Sequence, residues 1–499
     1  MIGFLRVFSA LLLLICGGGS GVAEPVSGRR PNIIVVLTDD QGYGDFSCHG
    51  HPVLRTPHLD RWHADSVRFT DFHVSPTCAP TRSALLSGRH EFRNGVTHTI
   101  LERERLAPDT VTLADVVRGA GYATGIFGKW HLGDEEAYQP GRRGFEETFV
   151  HGGGGIGQTY PGSCGDAPAN RYFDPVILHN GRFVRTRGYC TDVFFGQAMR
   201  WMDSVRERGP FFAWIACNAP HVPLDVRPED EARYAGRVAN TNAARFLGMV
   251  ANIDDNAGRL LDWVRDRGIE RETLMIFLTD NGADGGLLAG YNAGMRGRKG
   301  TPFLGGTRAA SFWRWTGTLK PGDCAALTAH VDVLPTLASL AGVSLSGLLE
   351  TQVEGRSLVP LLEDPATPWP DRTLVTHVGR WARWEEPADA RYRACAVRTT
   401  RWNLVSADGG REPRWMLFDL SADPGEANDV AGRDPEVVTD LASRFDAWWV
   451  SVQVHLVNEG VRGPAINPFK ERYWRQFGGG PDAGELRLMD LEQNPATRR

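Results

Sequence analysis

The sequence predicts an α/β fold, in which a mostly parallel central sheet is sandwiched by helices and followed by a small C-terminal α+β subdomain. Three observations indicate it: short, wholly apolar runs recur through residues 31–345, each ends in a polar cluster, and helical segments lie between them. Apolar runs of this length suit strands buried on both faces, as in a parallel sheet. Their alternation with helices is typical of a sheet covered on both sides.

Four of the apolar runs predict central strands. They are Ile33–Leu37, Ala123–Phe127, Phe211–Ala216 and Leu274–Leu278. The helical segments between them are Thr110–Ala120, Asp192–Arg206 and Ala243–Arg267. Residues 24–345 should therefore form the main α/β domain, and ligands should bind beyond the carboxyl ends of its strands.

Short strands and a single helix predict the C-terminal subdomain at residues 373–455, after a connection at 346–372. The strands are Thr373–Gly379, Arg393–Thr399, Trp402–Ser406 and Trp415–Leu420. The helix is predicted to start at Asp434-Pro435, an N-cap followed by proline. It should bury one stripe, made of Val437, Leu441, Phe445 and Trp448. Residues 456–499 form a C-terminal extension.

The composition is that of a globular protein without a strong charge. Of 499 residues 23% are charged and 42% hydrophobic, with a net charge of −5, which excludes a mainly disordered chain and argues against a nucleic-acid binder. Residues 1–23 resemble an export signal, with one charge at Arg6, the apolar run Val7–Ile15 and small residues before Glu24. That run is too short to span a bilayer.

We therefore expect an exported protein, periplasmic or extracellular, with no membrane span. A lipoprotein anchor at Cys16 is the alternative, and Ile15 disfavours it because a small residue is needed there. Seven cysteines remain after the signal, none in a CxxC pair, so a thiolate zinc site is not expected. In an oxidising compartment Cys164 and Cys190 could form a disulfide.

Two acidic clusters follow matching apolar runs. Asp39 and Asp40 come after the first strand, and Asp280 and Asn281 come after the last. Their side chains offer oxygen ligands, which suit a hard cation, Ca²⁺ or Mg²⁺, and three carboxylates without a cation would repel one another. The alternative is a pair of Asx turns.

A third cluster predicts an anion site. In Cys78-Ala79-Pro80-Thr81-Arg82, the proline suits the first turn of a helix that runs through Leu86. The N–H groups and dipole at such a helix start favour an anion, and Arg82 lies one turn on, on the same face as Cys78. Cysteine-dependent phosphatases place five residues between Cys and Arg, against three here, so that alternative fails on spacing.

Cys78-Ala79-Pro80-Thr81-Arg82 resembles the Cys-x-Pro-x-Arg signature of type I sulfatases, and the chain is similar to the bacterial arylsulfatase-type enzymes of that family. Further family blocks are resembled, in order, across roughly residues 31–345: Thr38-Asp39-Asp40-Gln41-Gly42, Gly128-Lys129-Trp130-His131, Ala219-Pro220-His221, Thr279-Asp280-Asn281-Gly282 and Arg296-Gly297-Arg298-Lys299-Gly300. The resemblance implies the alkaline phosphatase-like fold and hydrolysis of sulfate monoesters, on a sulfated carbohydrate or an aryl sulfate.

The resemblance also implies residue roles. Cys78 would be converted to formylglycine (3-oxoalanine) by a formylglycine-generating or sulfatase-maturing enzyme, and its hydrate would be the nucleophile. One Ca²⁺ ion, rather than Mg²⁺, would be held by Asp39, Asp40, Asp280, Asn281 and residue 78. Asp280 would accept the attacking hydroxyl's proton. Arg82 and Lys129 would orient the hydrate, His131 would be the base for its second hydroxyl, and His221 with Lys299 would protonate the leaving oxygen.

Other functions stay open at this point. A phosphodiester or phosphonate hydrolase of the same superfamily would keep the fold, and a non-catalytic sulfated-glycan-binding protein would keep Cys78 unconverted. The Gly-rich turn Gly152–Gly155 is predicted to line the pocket. In the C-terminal subdomain, substrate contact is a hypothesis for His377, Arg380 and Arg383. The tryptophans there, Trp381 and Trp384 among them, either stack on sugar rings or pack in the core.

Overall fold

The computed structural model describes residues 25–160, 162–284 and 291–487. The predicted signal 1–23, with Cys16, lies outside these ranges, as do residues 488–499 of the predicted extension. The strands are β1 Asn32–Thr38, β2 Val67–Phe69, β3 Phe72–His73, β4 Ala123–Lys129, β5 Glu147–His151, β6 Val176–His179, β7 Arg182–Arg185, β8 Phe211–Ala216, β9 Thr273–Thr279, β10 Ser311–Arg314, β11 Gly322–Cys324, β12 Thr328–Ala329, β13 Leu374–His377, β14 Cys395–Arg398, β15 Trp402–Ser406 and β16 Met416–Asp419. The α-helices are α1 Pro57–Ala64, α2 Cys78–Ser87, α3 Leu113–Gly119, α4 Cys190–Val205, α5 Pro228–Ala232, α6 Thr241–Asp266, α7 Leu304–Thr307, α8 Val333–Leu340, α9 Leu348–Gln352, α10 Val359–Glu363, α11 Pro435–Val452 and α12 Pro468–Phe477.

A ten-stranded sheet forms the centre of the molecule, in the order β11-β2-β10-β9-β1-β8-β4-β5-β6-β7. The five middle strands, β9 to β5, run parallel. Antiparallel pairs, β10 with β9 and β6 with β5, then lead to the two edges. The predicted mostly parallel sheet is confirmed. All four strands read from the sequence lie in its parallel centre, so their carboxyl ends share one edge.

The sheet is buried on both faces, which explains its uninterrupted apolar strands. On β1, Ile33, Val35 and Leu37 pack into a core with residues of α3 and α8, whereas Ile34 and Val36 pack into a second core with α4 and α6. Because successive side chains of a strand point to opposite faces, a strand between two helical layers must be apolar throughout. In the described residues no helix combines the length and apolar character needed to cross a bilayer.

Side-chain caps fix where two of the predicted helices begin. Helix α3 starts at Leu113 rather than Thr110, because Thr112 and Asp115 form a reciprocal capping box there. Helix α6 starts two residues before the predicted position, where the Asn240 side chain accepts a hydrogen bond from the Ala243 N–H.

The C-terminal subdomain is an antiparallel sheet, β13-β14-β15-β16, covered by α11. Two details of that helix differ from expectation. Asp434 makes no side-chain cap hydrogen bond. The buried stripe runs from Leu441 through Phe445 to Trp449, with Trp448 only partly buried, because steps of four residues keep one face of a helix.

The C-terminal extension returns to the main domain through α12. Phe469 is buried in the core that lines one face of the central sheet, and its ring meets Phe183 of β7 at 5.9 Å. The Gln476 side chain exchanges two hydrogen bonds of 2.8 Å with the backbone of Phe183. The edge strand β7 is therefore covered by this helix.

The predicted disulfide is not formed. Cys164 and Cys190 are both free and buried. The Cys164 thiol donates to the carbonyl of Thr99, whereas Cys190 begins α4 and packs in the core between that helix and the sheet. The two cysteines therefore lie in different packing environments and do not pair with each other.

Candidate active site

The two acidic clusters meet because their strands are neighbours. β1 and β9 pair in parallel with Thr38 opposite Thr279, so the next residues of each strand leave the sheet side by side. The Asp40 N–H donates to Asp280 Oδ1 at 3.2 Å, and Asn281 Nδ2 donates to Asp40 Oδ1 at 2.8 Å. Asp39, Asp40, Asp280 and Asn281 are all fully buried.

Each of the three carboxylates faces a cation. Lys129 Nζ lies 2.6 Å from Asp39, Lys299 Nζ lies 2.7 Å from Asp40, and Arg82 Nη2 lies 2.7 Å from Asp280. These cations come from the end of β4, from the loop before α7 and from α2. Paired charges are what makes three buried carboxylates tolerable.

The pKa values of the three carboxyl groups are shifted in different directions. Burial raises the pKa of Asp39 to about 7 and that of Asp280 to about 6. Burial acts on Asp40 as well, but Lys299 and His221 outweigh it and hold the pKa of Asp40 well below its usual range.

The donor set fits a hard divalent cation. Asp39 Oδ1 and Asn281 Oδ1 are buried and have no hydrogen-bond partner among the described residues. Ligand atoms of Asp39, Asp280 and Cys78 lie within 4.8 Å of one another, as do those of Asp39, Asp40 and His221. Buried oxygens without a partner are costly, and a cation with oxygen preference would satisfy them.

Cys78 lies against these carboxylates at the start of α2. The helix begins at Cys78, as predicted, and ends at Ser87, one residue beyond the predicted end, and the cysteine is 2% exposed. Lys129 and Lys299 lower the pKa of the Cys78 thiol, although burial opposes them. Arg82, one turn along α2, donates to Asp280 and, at 3.5 Å, to the carbonyl of Lys129. The structure therefore joins the predicted anion site and the predicted cation site.

Two histidines lie beside this cluster, and each uses only one of its two ring nitrogens in a hydrogen bond to a backbone carbonyl. His131 Nε2 bonds to the carbonyl of Thr99 at 2.8 Å, and its buried Nδ1 has no partner among the described residues. His221 Nδ1 bonds to the carbonyl of Val222 at 2.7 Å, and its Nε2 lies 3.7 Å from Asp40 Oδ2. Burial lowers the pKa of both rings. Each ring is held by a backbone carbonyl through one nitrogen, so its other nitrogen can accept a proton when the ring is neutral and donate one when the ring is protonated.

Two further residues of the site were not predicted. Thr99 holds His131 through its backbone carbonyl, for which the sequence carries no signal. His151 ends β5 opposite Lys129 in the parallel register, is buried, and has an unpartnered Nε2 in the described part of the chain. Only the apolar pair Phe149-Val150 precedes His151, after two glutamates and a threonine, so a search for longer apolar runs does not find it. The Gly-rich turn packs here too, because a Cβ on Gly154 would lie 2.9 Å from the His131 ring.

The residues named in the C-terminal subdomain divide into two groups. His377 is buried and bonds to the carbonyls of Ala390 and Arg391, and Trp381 is buried with its indole N–H on Glu459. These two side chains support the subdomain. Arg380 and Trp384 are exposed, and Arg383 is partly buried beside Glu102.

Comparisons with known proteins agree along most of the chain. The family model described as Sulfatase matches residues 31–343, and that described as N-sulphoglucosamine sulphohydrolase, C-terminal, matches residues 306–448. Arylsulfatase A of Homo sapiens is 32% identical over 466 residues, covering 86% of this chain and 89% of that protein. N-acetylgalactosamine-6-sulfatase of Sus scrofa is 28% identical over 457 residues, covering 83% and 84%.

A solved structure shares the whole fold. The crystal structure of Ps i-CgsB in complex with k-i-k-neocarrahexaose superposes with a TM-score of 0.75 at 24% identity, covering 94% of this chain and 98% of that one. The fold of most of the chain is thus one found in a solved protein.

Proposed function

The chain belongs to the sulfatase family, and from this premise we propose that it cleaves sulfate monoesters with formylglycine at position 78 and one Ca²⁺ ion. Hydrolysis of a sulfuric ester is the activity that the family and its arylsulfatase and glycan-sulfatase relatives support. Calcium as the particular ion, and the roles of individual residues, are our proposal.

One observation carries the proposal. Cys78 lies within 4.8 Å of carboxylate oxygens of Asp39 and Asp280, inside a ring of cations that come from separate elements. Formylglycine, once hydrated, supplies a nucleophilic hydroxyl and a second hydroxyl that permits release of sulfate. Asp39, Asp40, Asp280 and Asn281 would hold the Ca²⁺ ion, which would supply positive charge and lower the pKa of a hydroxyl on residue 78.

The chain's own groups provide the remaining chemistry. Lys129 and Arg82 stabilise negative charge at residue 78 and on the sulfate, because fixed cations in a buried site act strongly on developing charge. Lys299, whose pKa Asp40 raises against the effect of burial, stays protonated. We propose that His221, with Lys299, gives a proton to the leaving oxygen and that His131 takes one from the second hydroxyl of residue 78.

The substrate is proposed to be a sulfated carbohydrate or an aryl sulfate. Relatives named arylsulfatase A and N-acetylgalactosamine-6-sulfatase support both classes. Export through residues 1–23 and conversion of Cys78 by a maturing enzyme complete the proposal.

The test starts with protein co-expressed with a formylglycine-generating enzyme. Peptide mass spectrometry of active protein should show an aldehyde in place of the Cys78 thiol, and 4-nitrophenyl sulfate should be hydrolysed. Cys78→Ala should reduce kcat by at least about 10³-fold, because no nucleophile remains, while the melting temperature stays within a few degrees. Full activity with an intact thiol at position 78 would refute the proposal.

The two other functions predict different results. A phosphodiester or phosphonate hydrolase would show a higher kcat/KM on bis(4-nitrophenyl) phosphate than on 4-nitrophenyl sulfate. A glycan-binding protein would retain sulfated oligosaccharides without turnover, whatever the state of residue 78.

A further inference from the structure

A turn of the C-terminal subdomain approaches the active site at Gly379 and Arg380. Both residues have left-handed backbones, with φ of 66° and 57°. A Cβ on Gly379 would lie 1.9 Å from the carbonyl oxygen of Thr97, so glycine is what allows the turn to come this close. An arginine at positive φ is unfavourable and persists where its surroundings hold it.

Buried groups hold this turn on both sides. The Gly379 N–H donates to His377 Nδ1 at 2.9 Å, and the Arg380 N–H donates to the carbonyl of Thr97 at 3.3 Å. One residue further on, Arg103 donates to the carbonyl of Trp381 at 2.8 Å and stacks over its indole at 4.4 Å. The position of Arg380 is therefore set by the protein core.

The Arg380 side chain lies between two segments of the active site. Its Nη2 donates to Thr99 Oγ1 at 3.1 Å, and the carbonyl of that same Thr99 holds His131. Its Nη1 lies 3.8 Å from the position that a Cβ would take on Gly300, the residue next to Lys299. The guanidinium thus lies at the rim of the proposed active site. It contacts Thr99, which holds His131, and it lies near Gly300, the neighbour of Lys299.

Among the described residues, no carboxylate balances the charge of Arg380. Arg82, Lys129 and Lys299 each face a buried carboxylate. In the described part of the chain, Arg380 has one side-chain hydrogen bond, to a neutral hydroxyl, and forms no ion pair. The residue is exposed. Most of its fork of N–H donors is therefore available to an anion, for which guanidinium geometry is suited.

We infer that Arg380 forms an anion subsite beside the sulfate pocket, so that the enzyme prefers sulfated substrates with a second negative group, a carboxylate or another sulfate, next to the ester that is cleaved. The scissile sulfate would be bound by Arg82, Lys129 and Lys299. Arg380 is therefore available to a negative group further out on the substrate. The inference rests on the proposed sulfatase function and adds the class of substrate.

The test compares substrates that differ in charge outside the scissile ester. Converted enzyme with Ca²⁺ is assayed on 4-nitrophenyl sulfate, a monosulfated neutral sugar, a disulfated sugar and a monosulfated sugar linked to a uronate. Arg380→Asn, which tolerates positive φ, and Arg380→Gln should lower kcat/KM on the doubly anionic substrates by about tenfold, mainly through KM. The first two substrates should change by less than about twofold. Arg380→Lys should restore part of the loss.

Arg414→Gln is the matched control, an exposed arginine on another hairpin of the same subdomain. A loss confined to the uronate or to the disulfated sugar would support the subsite and identify the anion. Equal losses on all four substrates, or none, would overturn it while sulfatase activity stands. If the wild type cleaves no sulfate ester, the proposed function fails and the subsite fails with it.

Discussion

Three buried carboxylates within a few ångströms of one another are the central feature at the scale of single residues. Each carboxylate has a cationic partner. Even so, two buried oxygens of the cluster, Asp39 Oδ1 and Asn281 Oδ1, have no hydrogen-bond partner among the described residues. The cations alone therefore do not satisfy the site. An oxygen-preferring divalent ion would remove the cost of the two unpartnered oxygens and of the repulsion between the carboxylates.

Calcium should therefore stabilise the fold as well as support activity. Adding EGTA is expected to lower the stability of the folded chain by about 2–3 kcal/mol, the effect of losing a ligand held near one hundred times its dissociation constant. Differential scanning calorimetry with and without Ca²⁺ measures this as a shift in melting temperature. Asn281→Ala removes a neutral oxygen ligand and should abolish most of the shift. A melting temperature unaffected by EGTA in the wild type would contradict the assignment.

Residue types at strand ends could be predicted, whereas their partners could not. Asp39, Asp280, Lys129 and His221 follow apolar strands, and parallel strands share one carboxyl edge, so sequence alone places them together. Which cation pairs with which carboxylate depends on the strand order and on the path of the loop that carries Lys299. An ion pair forms only when the two charged groups lie within a few ångströms of each other, and the sequence does not give distances of that size. Thr99 acts through a backbone carbonyl, which every residue possesses.

At the scale of elements, the close contact between the ends of neighbouring strands determines where the side chains of the site lie. Gly128, just before Lys129 in β4, has φ of 110°, and a Cβ there would lie 2.0 Å from the carbonyl oxygen of Ala216 in β8. The sequence predicts both strands correctly but not this approach, because side-chain periodicity gives no information about backbone distance. Glycine at this position lets β4 place Lys129 against Asp39.

Gly128→Ala should therefore damage both stability and activity. The clash with a backbone carbonyl forces the strand ends apart, and the positive φ adds strain, so we expect a loss of about 3 kcal/mol or more in urea unfolding. The value of kcat should also fall, since Lys129 moves with its neighbour.

Gly188→Ala is the control for backbone strain alone. Gly188 has a similar φ of 101°, but nothing lies within 4 Å of a Cβ there. We expect a loss of only about 1–2 kcal/mol, with kcat unchanged. Equal losses in the two variants would show that the contact with Ala216 does not matter.

At the scale of the whole molecule, the C-terminal subdomain is joined to the loop that carries Lys299. Glu426 is fully buried and accepts hydrogen bonds from the Leu304 N–H and from Asn403 Nδ2, and its own carbonyl accepts one from Arg296. Arg296 in turn stacks on Phe303 at 4.3 Å. The sequence predicts the subdomain and its strands, but not this joint, because the contact unites residues more than one hundred positions apart.

The joint should make stability depend on pH in a definite direction. Burial raises the pKa of Glu426 from 4.5 to about 7, although Asn403, Arg398 and Arg296 oppose the rise. The folded chain therefore holds one more proton than the unfolded chain between those two pH values. The contribution of this side chain to stability is greatest below about pH 4.5, falls as pH rises to about 7 and is level above.

Glu426→Gln keeps the size of the side chain and removes the titration. Urea unfolding at pH 5 and pH 7.5 should show the wild type losing about 2–3 kcal/mol relative to this variant over that interval. Glu412→Gln, an exposed glutamate of the same subdomain, should track the wild type at both pH values. Parallel pH profiles for the wild type and Glu426→Gln would mean that the carboxyl group ionises freely at the joint. The joint would then contribute hydrogen bonds but no proton-linked stability between the two parts of the chain.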